Sequence, residues 1–249
     1  MIDLLLRLSR RKPGVRLETV RRGSLTAEHI RELHAFSNQL ASEDLEHFAV
    51  QLRAYDLGHV FRRADTHDVV GFQFWQSMPA GAAARSRIVS WGKLRVAPEF
   101  RNRGLHLLSA VVFFFQNKVR HPFTRYTCVV LASVMGFISI TEALADHTPF
   151  DPSQRSSEAG PVRDALLTLA DEGHYEMRED TGLFFVNIFM TAETLGRYPA
   201  SFFERPSAKV YASVNPDFRT NGCYAAFWFR FTPKNLAALT RAVARKLIR

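Results

Sequence analysis

Apolar and polar positions along this chain switch repeatedly between an alternating and a helical period. Leu17 to Arg22 alternates and predicts a first strand. Ile30, Leu33, His34 and Ser37 recur at helical spacing, so Ala27 to about Leu40 is expected as a helix, capped by Ser24 or Thr26. Leu45, Phe48, Ala49 and Leu52 give a second helix, Glu43 to Tyr55, with Ser42 as cap. His59 to Ala64 and Val69 to Met78 then read as an antiparallel pair around the polar turn Asp65-Thr66-His67-Asp68. A small-residue turn, Pro79 to Ala84, leads into a strand from Arg87 to Val96. Leu105 to Asn117 is the next helix. It is apolar nearly all round, and its consecutive Phe113, Phe114 and Phe115 cannot all face one sheet. Its outer face therefore needs a cover, from the C-terminal half, a partner subunit or a lipidic ligand.

Beyond it, Tyr126 to Ala132 is expected as a strand and Val134 to Ala145 as a helix. His147 to Gly160 is polar and reads as a loop or boundary. Pro161 to Glu172 has Val162, Ala165, Leu166 and Leu169 on one helical face, with Gly173 as a stop. Leu183 to Met190, Lys209 to Val214 and Cys223 to Phe231 read as strands, the last two joined through the turn pair Asn221-Gly222. Thr232-Pro233 starts a final helix reaching Ile248. The reading is an α/β (α+β) chain: a basic N-terminal segment, 1–14; a first domain, 15–148; and a C-terminal α/β extension, 149–249, which either continues the same sheet or forms a second layer.

Composition narrows the class. The chain has 249 residues, 47% of them hydrophobic, which favours a packed core over disorder. Its formal charge is +9 and unevenly spread. Arg85 to Arg125 holds nine Lys/Arg and one acid, whereas Glu142 to Asp180 holds ten acids and three arginines. Such a basic stretch concentrates anionic ligands. The two cysteines, Cys128 and Cys223, stand far apart, and the histidines show no ligand spacing, so no disulfide and no metal are expected. That fits a cytoplasmic setting. Met1 to Lys12, with Leu4, Leu5, Leu6 and Leu8 before Arg10, Arg11 and Lys12, has the wrong charge order for a signal peptide and permits weak membrane-surface contact. Tyr126 to Thr141 carries no charge but is shorter than the roughly 20 residues of a spanning helix. No transmembrane segment is expected.

The chemistry concentrates at Leu94-Arg95-Val96-Ala97-Pro98-Glu99-Phe100-Arg101-Asn102-Arg103-Gly104-Leu105-His106. A strand, a polar turn and a helix start make an anion site, because the first helical N–H groups lack intrahelical partners and the helix dipole adds positive potential there. This stretch resembles motif A of the GCN5-related N-acetyltransferase superfamily. Val96, Pro98, Arg101 and Gly104 fall on the family's Val-x-Pro-x-x-Arg-x-x-Gly skeleton, while Asn102 and His106 stand where it usually has small residues. The order strand, helix, helix, three strands, loop, helix is also that family's, over residues 15–145.

The resemblance implies a mixed central sheet flanked by helices and an acyl-CoA or acetyl-CoA donor. Leu94, Arg95 and Val96 would pair with the pantetheine arm through their backbone, and the N–H groups of Arg101, Asn102, Arg103, Gly104, Leu105 and His106 would cradle the pyrophosphate. It implies direct attack by an amine acceptor, a small molecule or a peptide, on the thioester. An acyl carrier protein is the alternative donor, as in long-chain N-acyl amino acid or acyl-homoserine lactone synthases. A non-catalytic protein that binds coenzyme A or a partner is the other alternative. Nucleic acid is not favoured, since no recognition motif accompanies the charge. For acid and base the family often uses a Glu and a Tyr. No Tyr lies between Val134 and Ala145, which leaves Glu142 and, on the preceding strand, Tyr126 as candidates.

Overall fold

The computed structural model describes residues 13–248 apart from 41–42, 81–84, 155, 190–194 and 197. The expected N-terminal segment Met1 to Lys12, residues 81–84 of the small-residue turn and Met190 at the end of an expected strand lie outside the described residues. The chain divides into two compact units that are not sequential. One is built from Met1–Ser77, Val89–Thr124 and Leu236–Arg249, the other from Met78–Ile88 and Arg125–Asn235. The boundary expected near residue 148 falls inside the second.

In the first unit, β1 (Val15–Arg21), β2 (Leu57–Arg63), β3 (Val69–Pro79, in this unit as far as Ser77) and β4 (Ser86–Val96, in this unit from Val89) lie side by side in that order. β1 and β2 are antiparallel in the register Val15↔Arg63, and β2 and β3 are antiparallel in the register Leu57↔Trp75. Between β1 and β2 come α1 (Ala27–Asn38) and α2 (Leu45–Ala54). Thr26 caps α1 by accepting from His29 N–H at 3.2 Å, and Asp44 caps α2 by accepting from His47 N–H at 2.9 Å.

The strands' two-residue period sorts the core. Phe72 of β3 meets Phe36 of α1 and Phe48 of α2 edge to face. Trp75, on the other face, stacks on Phe113 of α3 (Leu105–Arg120), with ring centroids 4.4 Å apart. α3 therefore covers the sheet opposite α1 and α2. Its Phe113 and Phe114 are buried, while Phe115 is left 41% exposed. Helix α8 (Pro233–Ile248) adds buried Leu239, Ala242, Val243 and Leu247 to this unit.

The second unit is centred on β9 (Cys223–Arg230), which pairs antiparallel with β5 (Arg125–Ala132), with the short β6 (Thr148–Pro149) and with β8 (Phe184–Phe185); β7 (Glu176–Met177) pairs with β8. α4 (Val134–Thr141) and α7 (Pro206–Val214) pack through Phe137 and Tyr211, 5.3 Å between ring centroids. α5 (Ala159–Gly173) buries Val162, Ala165, Leu166 and Ala170 in a cluster with Phe184 and Trp228. A short α6 (Ala200–Phe203) precedes α7. The sheet is mostly antiparallel and flanked by helices, a mixed α/β fold.

Two expected strands are corrected. Lys209 to Val214 is helical, part of α7. Pro206 occupies the first helical turn, and Ala208 and Tyr211, three apart, take the buried face. Of the described residues of the expected strand Leu183 to Met190, only Phe184–Phe185 is strand. Neighbouring Asn187 has φ +55°, outside the extended region.

Candidate functional site

The strand–turn–helix stretch forms as one element series. β4 ends at Val96, Pro98–Phe100 make a single 3-10 turn, and α3 starts at Leu105. Gly104 is the helix N-cap at φ +71°, a left-handed conformation that glycine adopts without the Cβ penalty, and Asn102 is left-handed too at φ +64°. Among the described residues no side chain caps this helix, and its first turn holds no acid. The N–H groups at its start thus keep their capacity for an anion.

The arginines of the turn have other occupations. Arg101 Nε donates to the Val96 carbonyl at 3.3 Å. Arg103 donates to the Pro13 carbonyl at 2.8 Å and lies over the Phe100 ring, 4.3 Å from its centroid. The cation set against the glycine comes from the far end of the chain. A Cβ on Gly104 would stand 3.0 Å from Cδ and 3.2 Å from Cβ of Lys246 on α8. The missed signal was present: the last helix is strongly basic, with five positive charges and no acid from Lys234 to Arg249. Nothing local in the sequence pairs that helix with this turn.

Leu105 is buried in the core. His106 follows within the same first turn, its ring centroid 6.2 Å from that of Trp91. Burial, with a smaller contribution from the Lys246 charge, pushes its imidazole down to about 3. It is neutral at pH 7 rather than a cation.

On β4, the Leu94 carbonyl accepts from Arg95 Nη1 at 3.1 Å, so the carbonyls of both Leu94 and Val96 already hold one arginine donor each. Beside this strand lies a charged cluster that the sequence did not reveal. Lys93 Nζ donates to Glu43 and, at 2.6 Å, to Gln51, and it sits 4.5 Å from the Phe48 ring centroid. Burial lowers its pKa, opposed by the Glu43 hydrogen bond. Arg95 Nη2 is 3.9 Å from Glu43 Oε2, and that oxygen and Arg95 Nε are both buried without a hydrogen-bond partner.

Glu142 and Tyr126 belong to the second unit, whereas the turn, Lys246, Glu43 and β4 from Val89 belong to the first. Glu142 ends α4, where Arg205 donates to it at 3.1 Å and Ser207 at 2.8 Å, tying α4 to α7. Tyr126 is buried in β5, and its carbonyl accepts from Phe231 N–H at 3.1 Å. Among the described residues no group of three or more His, Cys, Asp or Glu is arranged to hold a metal, and both cysteines are free and buried.

No protein-family model and no curated protein matches the sequence. Solved structures do. An acetyltransferase of Trypanosoma brucei is 15% identical, with 50% of this chain and 87% of that one covered at a TM-score of 0.37. A ribosomal-protein-alanine N-acetyltransferase of Brucella melitensis is 17% identical, with 47% and 78% covered at a TM-score of 0.33. A GNAT family N-acetyltransferase of Escherichia coli, solved with CoA, is 16% identical, with 50% and 67% covered at a TM-score of 0.34. The chain is similar to solved acetyltransferases over about half its length.

Proposed function

We propose that the chain is an N-acyltransferase that moves an acyl group from an acyl-CoA thioester to an amine. The observation that carries this reading is the uncapped start of α3. A left-handed glycine, helix-start N–H groups with no side-chain cap and Lys246 come together there, directly after the end of β4. That layout suits a ligand with phosphates at one end and an amide-bearing arm running back along β4.

In the proposed reaction the amine nitrogen attacks the thioester carbonyl carbon. The C–N bond forms, the C–S bond breaks, the amine loses a proton and the CoA thiolate gains one. Glu43 is the carboxylate that supports the proton loss best. It is close to β4, and its Oε2 is unpartnered. The other oxygen is held by Lys93, which keeps the carboxylate in place. The Glu142 carboxylate, engaged by Arg205 and Ser207, is not assigned a step.

The test is CoA release. Purified protein with acetyl-CoA or a longer acyl-CoA and a panel of amines should liberate free thiol and acylated amine in equal amounts. Binding of acyl-CoA with no product from any amine would favour a non-catalytic binding protein. Product only from an acyl carrier protein thioester would replace the donor.

A further inference from the structure

A second surface of the first unit, built from β1 and the C-terminal half of α3, is not used by the proposed chemistry. An open groove of about 530 Å³ lies there, lined by Thr19, Arg21, Ser24, Phe115, Gln116, Val119 and Arg120. No acid lines it. Phe115 and Val119 are four apart and share one helical face, and Phe123 follows three residues past the helix end at Arg120. Val119 is 83% exposed and Phe123 77% exposed. A run of apolar tips this exposed, beside cations, is an interaction surface rather than ordinary surface variation.

We propose that this face docks on a membrane surface carrying anionic phospholipid, with Phe115, Val119 and Phe123 entering the headgroup–acyl boundary and Arg21 and Arg120 on lipid phosphates. The side chains suit a plane better than an enclosed molecule. The groove is open, and a single amphiphile in it leaves Phe123, which does not line it, in water. The charge suits anionic lipid better than a second copy of this chain, because a two-fold contact sets the same arginines against each other. The floor is polar but already satisfied. Gln116 Nε2 donates to Thr19 at 3.0 Å, and Gln116 Oε1 is 3.4 Å from His59 Nε2. Specificity therefore comes from the rim and the apolar tips.

This inference is independent of the transferase reading, and its test uses no acyl donor. The full chain is sedimented with neutral phosphatidylcholine vesicles and with vesicles that also contain phosphatidylserine. Binding to the anionic vesicles, weakened by salt, is expected. Arg21→Ala with Arg120→Ala should weaken it about thirtyfold, each cation near such a surface contributing about 1 kcal/mol. Val119→Ser with Phe123→Ser should also weaken it while leaving the circular dichroism spectrum unchanged, because both side chains lie outside the core. Absence of anionic-vesicle binding overturns the proposal. So does equal binding by both double variants, which assigns attachment to another part of the chain. Binding of a monomeric long-chain carboxylate without vesicle binding, or self-association abolished by Val119→Ser, overturns it in favour of a soluble amphiphile or a second copy.

Discussion

Lys246 is the residue on which the donor site turns. Its side chain packs on Gly104, at the only kind of position where a left-handed N-cap and a close neighbour both demand glycine. If it faces the donor's phosphates, Lys246→Ala removes one charge-assisted contact. Acetyl-CoA should then bind about tenfold more weakly, equivalent to roughly 1.5 kcal/mol. Calorimetric titration checks this; an unchanged Kd would make Lys246 a packing residue. A second prediction concerns His59, buried between β2 and α3. Its Nδ1 is 2.7 Å from Ser109 Oγ, which also accepts from Trp75 Nε1 at 2.8 Å. Burial lowers its pKa from 6.5 to about 4, against a smaller opposing effect of Gln116. The unfolded chain therefore binds the extra proton between those values. Stability is full above about pH 6.5 and falls as the pH drops toward 4, by roughly 3 kcal/mol from this group. Thermal unfolding across that window should show the loss, and His59→Gln should flatten it. The turn itself, Arg101 to His106, was legible because its signals are local: a strand end, a proline, a glycine, an apolar run. Lys246 and Glu43 were not, because tertiary packing alone brings α8 to Gly104 and Glu43 to Lys93.

At the scale of elements, α8 is the support that holds Lys246 in place. Leu239 is fully buried and lies two turns before Lys246 on the same helix. Leu239→Ala should cost about 3 kcal/mol in urea unfolding. Acetyl-CoA affinity should fall with it at temperatures where the variant is still folded. A stability loss with unchanged affinity would uncouple α8 from the donor site. Elements with long, regular periods were read correctly from the pattern, among them α1, α3, β3 and α8. Short ones were not. Lys209-Val210-Tyr211-Ala212-Ser213-Val214 carries the β-branched and aromatic residues of a strand, and the helix prevails because Tyr211 gains both a buried ring contact with Phe137 and a hydrogen bond to the Ala132 carbonyl at 3.0 Å. Leu183 to Met190 is apolar enough for a strand, but among its described residues only Phe184 and Phe185 pair with β9.

Across the whole molecule, the two units interleave in sequence: the last helix joins the first unit, and the short segment Met78–Ile88 joins the second. No pattern along the chain announces such a division, because hydrophobic periodicity specifies which face is buried and not against what. It also means that an excision at residue 148 would cut away α8 and Lys246 with it. The central claim, that the start of α3 receives the phosphates of an acyl-CoA, is tested most directly by calorimetry of acetyl-CoA against the full-length protein and Gly104→Asp. That substitution sets a carboxylate and bulk where the anion belongs, at the cost of strain from a Cβ at φ +71° beside Lys246, so circular dichroism first establishes that the variant is folded. The account predicts one site per chain in the wild type and no measurable binding in a folded Gly104→Asp. Equal binding by both proteins would contradict it.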